Sequence, residues 1–423
     1  MSTETTTAGW SRESCLQADE RDPLAAFRDE FVLPPGVIYL DGNSLGVLPV
    51  GARERADAVI TREWGTDLIR SWNTNRWFEM PVRLGEKIGR LIGGGDGACA
   101  VTDTTSVNIF KALSAAVRIQ AAADPARRVI VAERDNFPTD LYVIQGLVSS
   151  LHGYDIRLID DRDGLAAALT DDVAVTLLSH VNYRTGARWD MPAVTAQIHA
   201  AGSLVVWDLC HSVGAVPLDV DGSGADFAVG CTYKYLNGGP GSPAFIWSAA
   251  RHLAGMTGPL TGWWGHRDPF AMAVEFAPAP DARRLLVGTQ PIISMATMEV
   301  GLDIALRVDA AALREKSIAL STLFIDLVAQ RLGDHPLTLV TPADPDARGS
   351  HVSYRHPEGY AVMQALIDRG VIGDYREPEV LRFGLTPLYL RHVDVWDAVE
   401  HLRRVLDDEL WRDPQYARRG AVT

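Results

Sequence analysis

Between residues 97 and 248 the chain repeats one pattern, a short run rich in β-branched residues followed by a longer stretch with helical spacing. The runs are ACAVT (98–102), RVIVAE (128–133), DIRLI (155–159), VAVTLLSHV (173–181), SLVVWDL (203–209), FAVGCTY (227–233) and AFIWS (244–248). SVNIFKALSAAVRIQ (106–120) and MPAVTAQIHAAG (191–202) are among the helical stretches between them. The runs are nearly continuously apolar rather than alternating, which expects cover on both faces. Strands alternating with helices in this way specify an α/β fold with a mostly parallel seven-stranded sheet. In such sheets ligands sit at the carboxyl ends of the strands, so chemistry is expected just after the runs.

The flanks differ. Residues 1–35 read as an irregular arm ending in Pro34-Pro35, followed by the short strand and turn-rich loop VIYLDGNSLGVLP (37–49). A helix is expected from Gly51 to about Ile69, with Ala52, Ala56, Val59, Ile60 and Trp64 on one face. After the Pro/Ala-rich FAPAPDARR (276–284), one long helical segment is expected over roughly 291–332, then a smaller α+β region with LVTP (339–342), HVSYRH (351–356), YAVMQALIDRG (360–370), VLRFGLTPLY (380–389) and a final helix near 394–411. A chain of 423 residues exceeds one ordinary core. The expected division is an N-terminal segment (1–50), a large domain (51–300) and a small C-terminal domain (301–423) that packs with the N-terminal segment.

Forty basic against 54 acidic side chains give a formal charge of −14, which argues against nucleic acid or an anionic membrane as the main partner. Cys15, Cys99, Cys210 and Cys231 form no C-x-x-C pair, and the expected compartment is reducing. Met1–Glu20 contains no apolar core of a secretion signal, and no uncharged apolar run approaches the ~18 residues of a membrane span. The expected location is therefore cytoplasmic. No H-E-x-x-H or similar histidine pairing occurs, and no metal is expected.

The strongest chemical signal is VVWDLCHS followed by CTYKYLNGGPG. Asp208 closes one apolar run, His211 follows three residues later, and Lys234 ends the next run. A strand-end carboxylate can hold a protonated ring nitrogen, and a lysine can condense with an aldehyde; together they are what pyridoxal phosphate requires. Taken singly, a strand-end Asp also reads as a turn cap and a lone Lys as a solvated surface group. In TDTTSVNIF (102–110), Thr105 and Ser106 at a helix start suit either a helix cap or an anion site. In RDNFPTD (134–140), Phe137 suits a packed turn or a face stacked on a flat heterocycle.

YLDGNSLG (39–46), DNFPTD (135–140), WDLCHSVGAVPL (207–218), CTYKYLNGGPG (231–241), GWWGH (262–266) and GTQPI (288–292) occur in one order along the chain. This combination resembles the kynureninase family, within fold type I of the pyridoxal-phosphate enzymes and near the class V aminotransferases and cysteine desulfurases. The resemblance spans roughly residues 39–389. It implies hydrolysis of L-kynurenine to anthranilate and L-alanine, with Lys234 joined covalently to pyridoxal phosphate and acting as a base, Asp208 on the pyridinium nitrogen and His211 beside the ring. It further implies Phe137 stacked on the ring, Pro138, Thr139 and Asp140 wrapping the cofactor, and Ser179 and Thr289 at cofactor positions. The same resemblance implies Thr105, Ser106, Tyr233 and Trp263 around the phosphate, with Tyr233 also a candidate acid for protonating the β-carbon. Arg382 corresponds to the arginine that clamps the substrate α-carboxylate, for which a bidentate guanidinium is suited. Trp72 and the Gly288-Thr289 pair fall where the family meets the substrate's aromatic ring. Trp72 and Thr289 stand where animal members carry His and Asn, a departure resembling the bacterial, kynurenine-preferring group rather than enzymes of 3-hydroxykynurenine. A homodimer with shared sites is implied as well. Two alternatives share the fold: a cysteine desulfurase, disfavoured because no cysteine lies beyond residue 231, and a cofactor-binding module without catalysis.

Overall fold

A computed structural model describes residues 9–420. The chain divides into two compact units, one of Leu48–Tyr183 and Arg188–Arg307, the other of Met1–Val47, Arg184–Ala187 and Val308–Thr423.

In the first unit, all seven apolar runs form strands of one sheet: β1 (Cys99–Val101), β2 (Val129–Glu133), β3 (Asp155–Ile159), β4 (Val173–Ser179), β5 (Leu204–Asp208), β6 (Phe227–Gly230) and β7 (Phe245–Ser248). Their order is β1-β7-β6-β5-β4-β2-β3. β6, β5, β4, β2 and β3 pair in parallel, and β7 is antiparallel to both β6 and β1. The reversal has a local cause. A parallel neighbour needs a crossover, usually a helix, and the β6–β7 connection contains none. Every residue of β2 and β4 is buried, whereas the edge strand β3 is half exposed. FAVGCTY forms a strand only to Gly230. Lys234 therefore stands in the loop beyond β6, not at a strand end.

Helix α1 (Met80–Ile92) buries Leu84, Gly85, Ile88, Gly89 and Ile92 on one face. A Cβ on Gly85 would lie 2.1 Å from the Cys99 carbonyl oxygen of β1. Gly85→Ala is thus expected to overpack this contact and cost about 1–3 kcal/mol, read as a lower urea midpoint. Helices α2 (Thr105–Ala123), α3 (Pro138–Ser149) and α4 (Met191–Ala200) follow β1, β2 and β4.

Three expectations require correction. The helix expected over 51–69 is α-helical only at Ala52–Ala58, then widens into a π-turn at Val59–Trp64. The extra residue per turn rotates the face, so that Glu63 is buried while Ile60 and Trp64 are 46% and 58% exposed. Glu63 stays inside because Arg55 Nη1 (2.6 Å) and Trp77 Nε1 (2.8 Å) donate to it. The segment over 291–332 is two helices, α5 (Ile292–Ala305) and α6 (Ala310–Arg331), the second started by Asp309, whose carboxylate caps Ala312 N–H at 2.8 Å. The N-terminal arm is not irregular throughout: Arg12–Asp19 is an α-helix with a Ser11 capping box, and Ala25–Glu30 is a 3-10 helix.

In the second unit, strands β8 (Thr338–Leu339), β9 (His351–Arg355), β10 (Asp374–Arg376) and β11 (Val380–Gly384) form an antiparallel sheet ordered β8-β9-β11-β10. Helices α6, α7 (Gly359–Ile367) and α8 (His392–Asp407) belong to the same unit. The two residues Ile38–Tyr39 pair in parallel with Val371–Ile372. Gly384 N–H then donates to Leu40 O at 2.6 Å, which sets the following Asp41–Ser44 turn beside β11. Among the described residues no helix is long and apolar enough to cross a membrane.

Candidate active site

The parallel strands deliver their chemistry to one edge. Asp208 is the last residue of β5 and Ser179 the last of β4, and the two are register partners. Asn136 and Phe137 follow β2, Lys234 follows β6, and Thr105 opens the helix after β1.

The loop carrying Lys234 is tightly built. Asn237 N–H donates to Lys234 O and Gly238 N–H to Thr232 O, each at 2.9 Å. Thr232 Oγ1 is 2.6 Å from both Ser242 Oγ and Pro243 O. The turn passes through Asn237 and Gly239 at positive φ (53° and 90°), the latter a backbone shape that glycine adopts freely. From this base the half-buried Lys234 amine reaches His211, Nζ to Nε2 at 2.9 Å.

Beside them lies a buried acidic pair. Asp208 is 6% exposed; its Oδ1 accepts Cys210 N–H at 2.8 Å and its Oδ2 the Ser179 hydroxyl at 3.3 Å. The one Ser179 hydroxyl proton is shared with Asn136 Oδ1, the nearer acceptor at 2.6 Å, and Asn136 Oδ1 also accepts Phe137 N–H at 2.8 Å. Asp140 is 2% exposed. Its burial, reinforced by the Asp208 charge and opposed by Lys234, pushes its carboxyl well above the usual carboxylate range. Asp140 Oδ2 and Asn136 Nδ2 are buried with no hydrogen-bond partner among the described residues. Such orphans suit a ligand that brings its own polar edge. Phe137 presents a 44% exposed ring, steadied edge-on by Tyr183 at 5.2 Å. At the start of α2, Thr104 supplies the cap by accepting Val107 N–H, so the hydroxyls of Thr105 and Ser106 are not spent on capping. Thr105 Oγ1 lies 3.6 Å from Cys210 Sγ.

A flat cationic heterocycle with an aldehyde and a phosphate fits these groups: an amine for the aldehyde, buried carboxylate for a ring N–H⁺, an aromatic face, and hydroxyls at a helix N-terminus for the phosphate. Asn136 and Cys210 were missed by the sequence reading. Asn136 lies inside DNFPTD, and its position between an acid-bearing loop and a strand end was the available signal.

Other expected site residues are held by different neighbours. Trp72 is edge-on to Trp77 and Trp264 at 5.5 and 5.4 Å, and Trp263 contacts Trp264 and Phe270. Trp263 is 43% exposed, Thr289 is exposed and Gly288 has open space where a Cβ would be. Among the described residues no hydrogen bond or ring contact joins Trp72, Trp263 or Thr289 to the Lys234 group. Arg382, in the second unit, is 1% exposed; its Nε donates to Asp374 Oδ1 and its Nη2 to Ser44 Oγ, both at 2.7 Å.

Residues 313–402 match the kynureninase C-terminal domain. A kynureninase of Burkholderia pseudomallei is 58% identical over 414 residues, 98% of this chain and 100% of that one. The chain belongs to the kynureninase family. A second kynureninase, from Pseudomonas fluorescens, is 55% identical over the same span. Among solved structures, the cysteine desulfurase CsdA of Escherichia coli superposes with a TM-score of 0.75 at 18% identity, covering 90% of this chain and 99% of that one. A C-DES mutant with glycine covalently linked to its PLP cofactor superposes at 0.74 and 17% identity, covering 89% and 98%. At such identities the likeness is one of fold, that of fold type I, on which the kynureninase motifs of this chain are carried. All four cysteines of this kynureninase-family chain are buried, a poor setting for a thiol that must reach a substrate.

Proposed function

We propose that the chain is a pyridoxal-phosphate-dependent hydrolase that cleaves L-kynurenine to anthranilate and L-alanine. The observation that carries this is the Lys234–His211 contact set beside the buried Asp140/Asp208 pair, in a chain more than half identical to curated kynureninases along nearly its whole length.

Pyridoxal phosphate, when bound, supplies an electron sink for charge left on the substrate as bonds at Cα and Cβ break. Lys234 would hold it through its amine and would carry the proton at the substrate Cα, with His211 as the group through which the amine's proton would be exchanged. Asp208 would hold a ring N–H⁺, with Cys210 N–H and the Ser179 hydroxyl against that carboxylate. Phe137 would cover one ring face, while Pro138, Thr139 and Asp140 would close around it. Thr105, Ser106, Tyr233, Trp263 and Thr289 serve the phosphate end. Arg382 receives the α-carboxylate, and Trp72, Gly288 and Thr289 the aromatic ring. Water adds to the γ-carbonyl, the Cβ–Cγ bond breaks, and Tyr233 protonates the β-carbon.

The apolar side chains left outside in Phe270, Met272 and Val274 (66%, 77% and 99% exposed) support a homodimer. The chain's acidity and low cysteine content suit a cytoplasmic enzyme of tryptophan catabolism.

A steady-state comparison of kynurenine and 3-hydroxykynurenine, following anthranilate fluorescence, tests the reading. Turnover of kynurenine with the higher kcat/KM is expected; release of alanine from cysteine without anthranilate from kynurenine would overturn it. Tyr233→Phe separates the two tasks of that residue. If Tyr233 is the acid, kcat falls about a hundredfold or more with cofactor affinity retained. An equal loss in cofactor affinity with kcat preserved would leave it a phosphate ligand only.

A further inference from the structure

One cavity of the first unit takes no part in the mechanism above. It measures about 180 Å³, and Lys111, Met256, Leu260, Phe276, Arg284 and Leu285 are among the residues around it. No residue that lines it is assigned to the cofactor or the substrate. Lys111 and Ala115 stand one turn apart on the same face of α2. Against them lies the 3-10 turn Ala282–Leu285, whose Leu285 O accepts from Lys111 Nζ at 2.6 Å. Asp281 caps that turn, and its Oδ1 accepts the Arg283 N–H at 3.0 Å and the Arg283 Nε–H at 2.8 Å. Arg284 bonds to a backbone carbonyl instead, Nε to Ala279 O at 2.9 Å. Its Nη1 is buried and has no hydrogen-bond partner among the described residues. We propose that this cavity binds a small carboxylate carried on an apolar six-membered ring, the carboxylate accepting from Arg284 Nη1 and the ring packed among Met256, Leu260, Phe276 and Leu285.

Size selects the ring. An apolar cavity of roughly 150 Å³ takes up benzene, and here the walls are the side chains of Met256, Leu260, Phe276 and Leu285. Charge selects the carboxylate. A buried guanidinium nitrogen without an acceptor is costly, and water would satisfy its hydrogen bond without answering its charge. Burial disfavours the charged forms of Lys111 and Arg284 and lowers both pKa values, opposed by Asp103 at Lys111 and by Asp281 at Arg284. Asp103 is bonded to Lys111 and Asp281 to Arg283, so neither carboxylate serves Arg284 Nη1. A ligand has a way in, because Leu260 and Phe276 are partly exposed. The inference stands apart from the proposed reaction, since the two share no residue.

The test is calorimetric titration of the holoenzyme with benzoate and with benzamide, its uncharged counterpart, for wild type, Arg284→Gln, Leu260→Ala and Arg382→Lys. Benzoate is the probe because anthranilate, as a reaction product, would also occupy the substrate site. Wild type is expected to bind benzoate saturably and about tenfold or more tighter than benzamide, the worth of one charged hydrogen bond. Arg284→Gln should weaken benzoate by about the same factor and leave benzamide unchanged, which erases the preference. Leu260→Ala, on the partly exposed wall, should weaken both ligands alike, and it decides the question should the Arg284 variant not fold. Arg382→Lys should bind benzoate as wild type does. Absence of saturable binding by wild type, or benzoate affinity unchanged in the folded Arg284 and Leu260 variants, would overturn the proposal. Benzoate binding lost in Arg382→Lys but kept in Arg284→Gln would put the ligand in the substrate site and overturn it equally.

Discussion

Lys234→Ala is expected to lose kynurenine cleavage by on the order of a thousandfold or more, with its melting profile close to wild type. The side chain is half-buried at the end of a loop whose own hydrogen bonds are made by backbone groups and by Thr232. Removing the amine therefore leaves the loop's ties intact. On the proposed assignment, what disappears is the group that attaches the cofactor and the group that moves the Cα proton, so one substitution removes two functions. Lys234→Arg should fare no better, since a guanidinium neither condenses with an aldehyde nor gives up its proton near neutrality. The measurements are anthranilate fluorescence for turnover and long-wavelength absorption after adding pyridoxal phosphate. A variant keeping more than a tenth of the wild-type rate would show that the reactive amine lies elsewhere.

The largest effect on stability is expected at Asp226, remote from the chemistry in role. It is 1% exposed, and its carboxylate accepts from His199 Nε2 (2.8 Å), His252 Nε2 (2.7 Å), Arg251 Nη2 (2.6 Å) and Val205 N–H (2.8 Å). One carboxylate thereby joins α4, β5 and the short helix Ala250–Leu253. Burial alone would raise its pKa, but these donors outweigh burial and hold it well below the usual range. Asp226→Ala leaves the buried Val205 N–H and the largely buried His252 without their acceptor and removes the ties to His199 and Arg251, and should cost about 3–5 kcal/mol, read from urea unfolding. The acid limb carries the same signature. Because the folded carboxyl titrates lower than the unfolded one, near ~3.9, its stabilisation is complete above that value and drains away as pH falls below it. The substituted protein should start from lower stability and lose less between about pH 4 and 2. An acid slope equal to wild type would contradict the assignment.

The seven strands were legible because each is an apolar run between turn-rich segments, and burial on both faces writes that pattern directly. The direction of β7 was not, since orientation depends on the connection: 14 residues without a helical repeat separate β6 from β7. The phase of the 52–64 helix was misread because helical spacing assumes 3.6 residues per turn, whereas the π-turn at Val59–Trp64 moves Glu63 inward toward donors, Arg55 and Trp77, that no local window relates to it. Of the site, Asp208, His211 and Lys234 were legible as a spaced set. Asn136 was not, because it acts through Ser179, 43 positions away. Asp226 and Asp374 carry no motif; each gains its meaning from partners in other elements, and a lone acid in a sequence reads as solvated.

The hydrogen bonds that clamp the backbone around residue 234 have a kinetic corollary. Since Thr232, Asn237 and Gly238 hold the main chain still, the amine's journeys away from its acceptor and back involve only the torsions of a four-carbon arm, an ordering penalty of about 2 kcal/mol at most. Recapture after each catalytic cycle is then an intramolecular event at high local concentration. The amine's approach needs only side-chain rotation and no reopening of the loop.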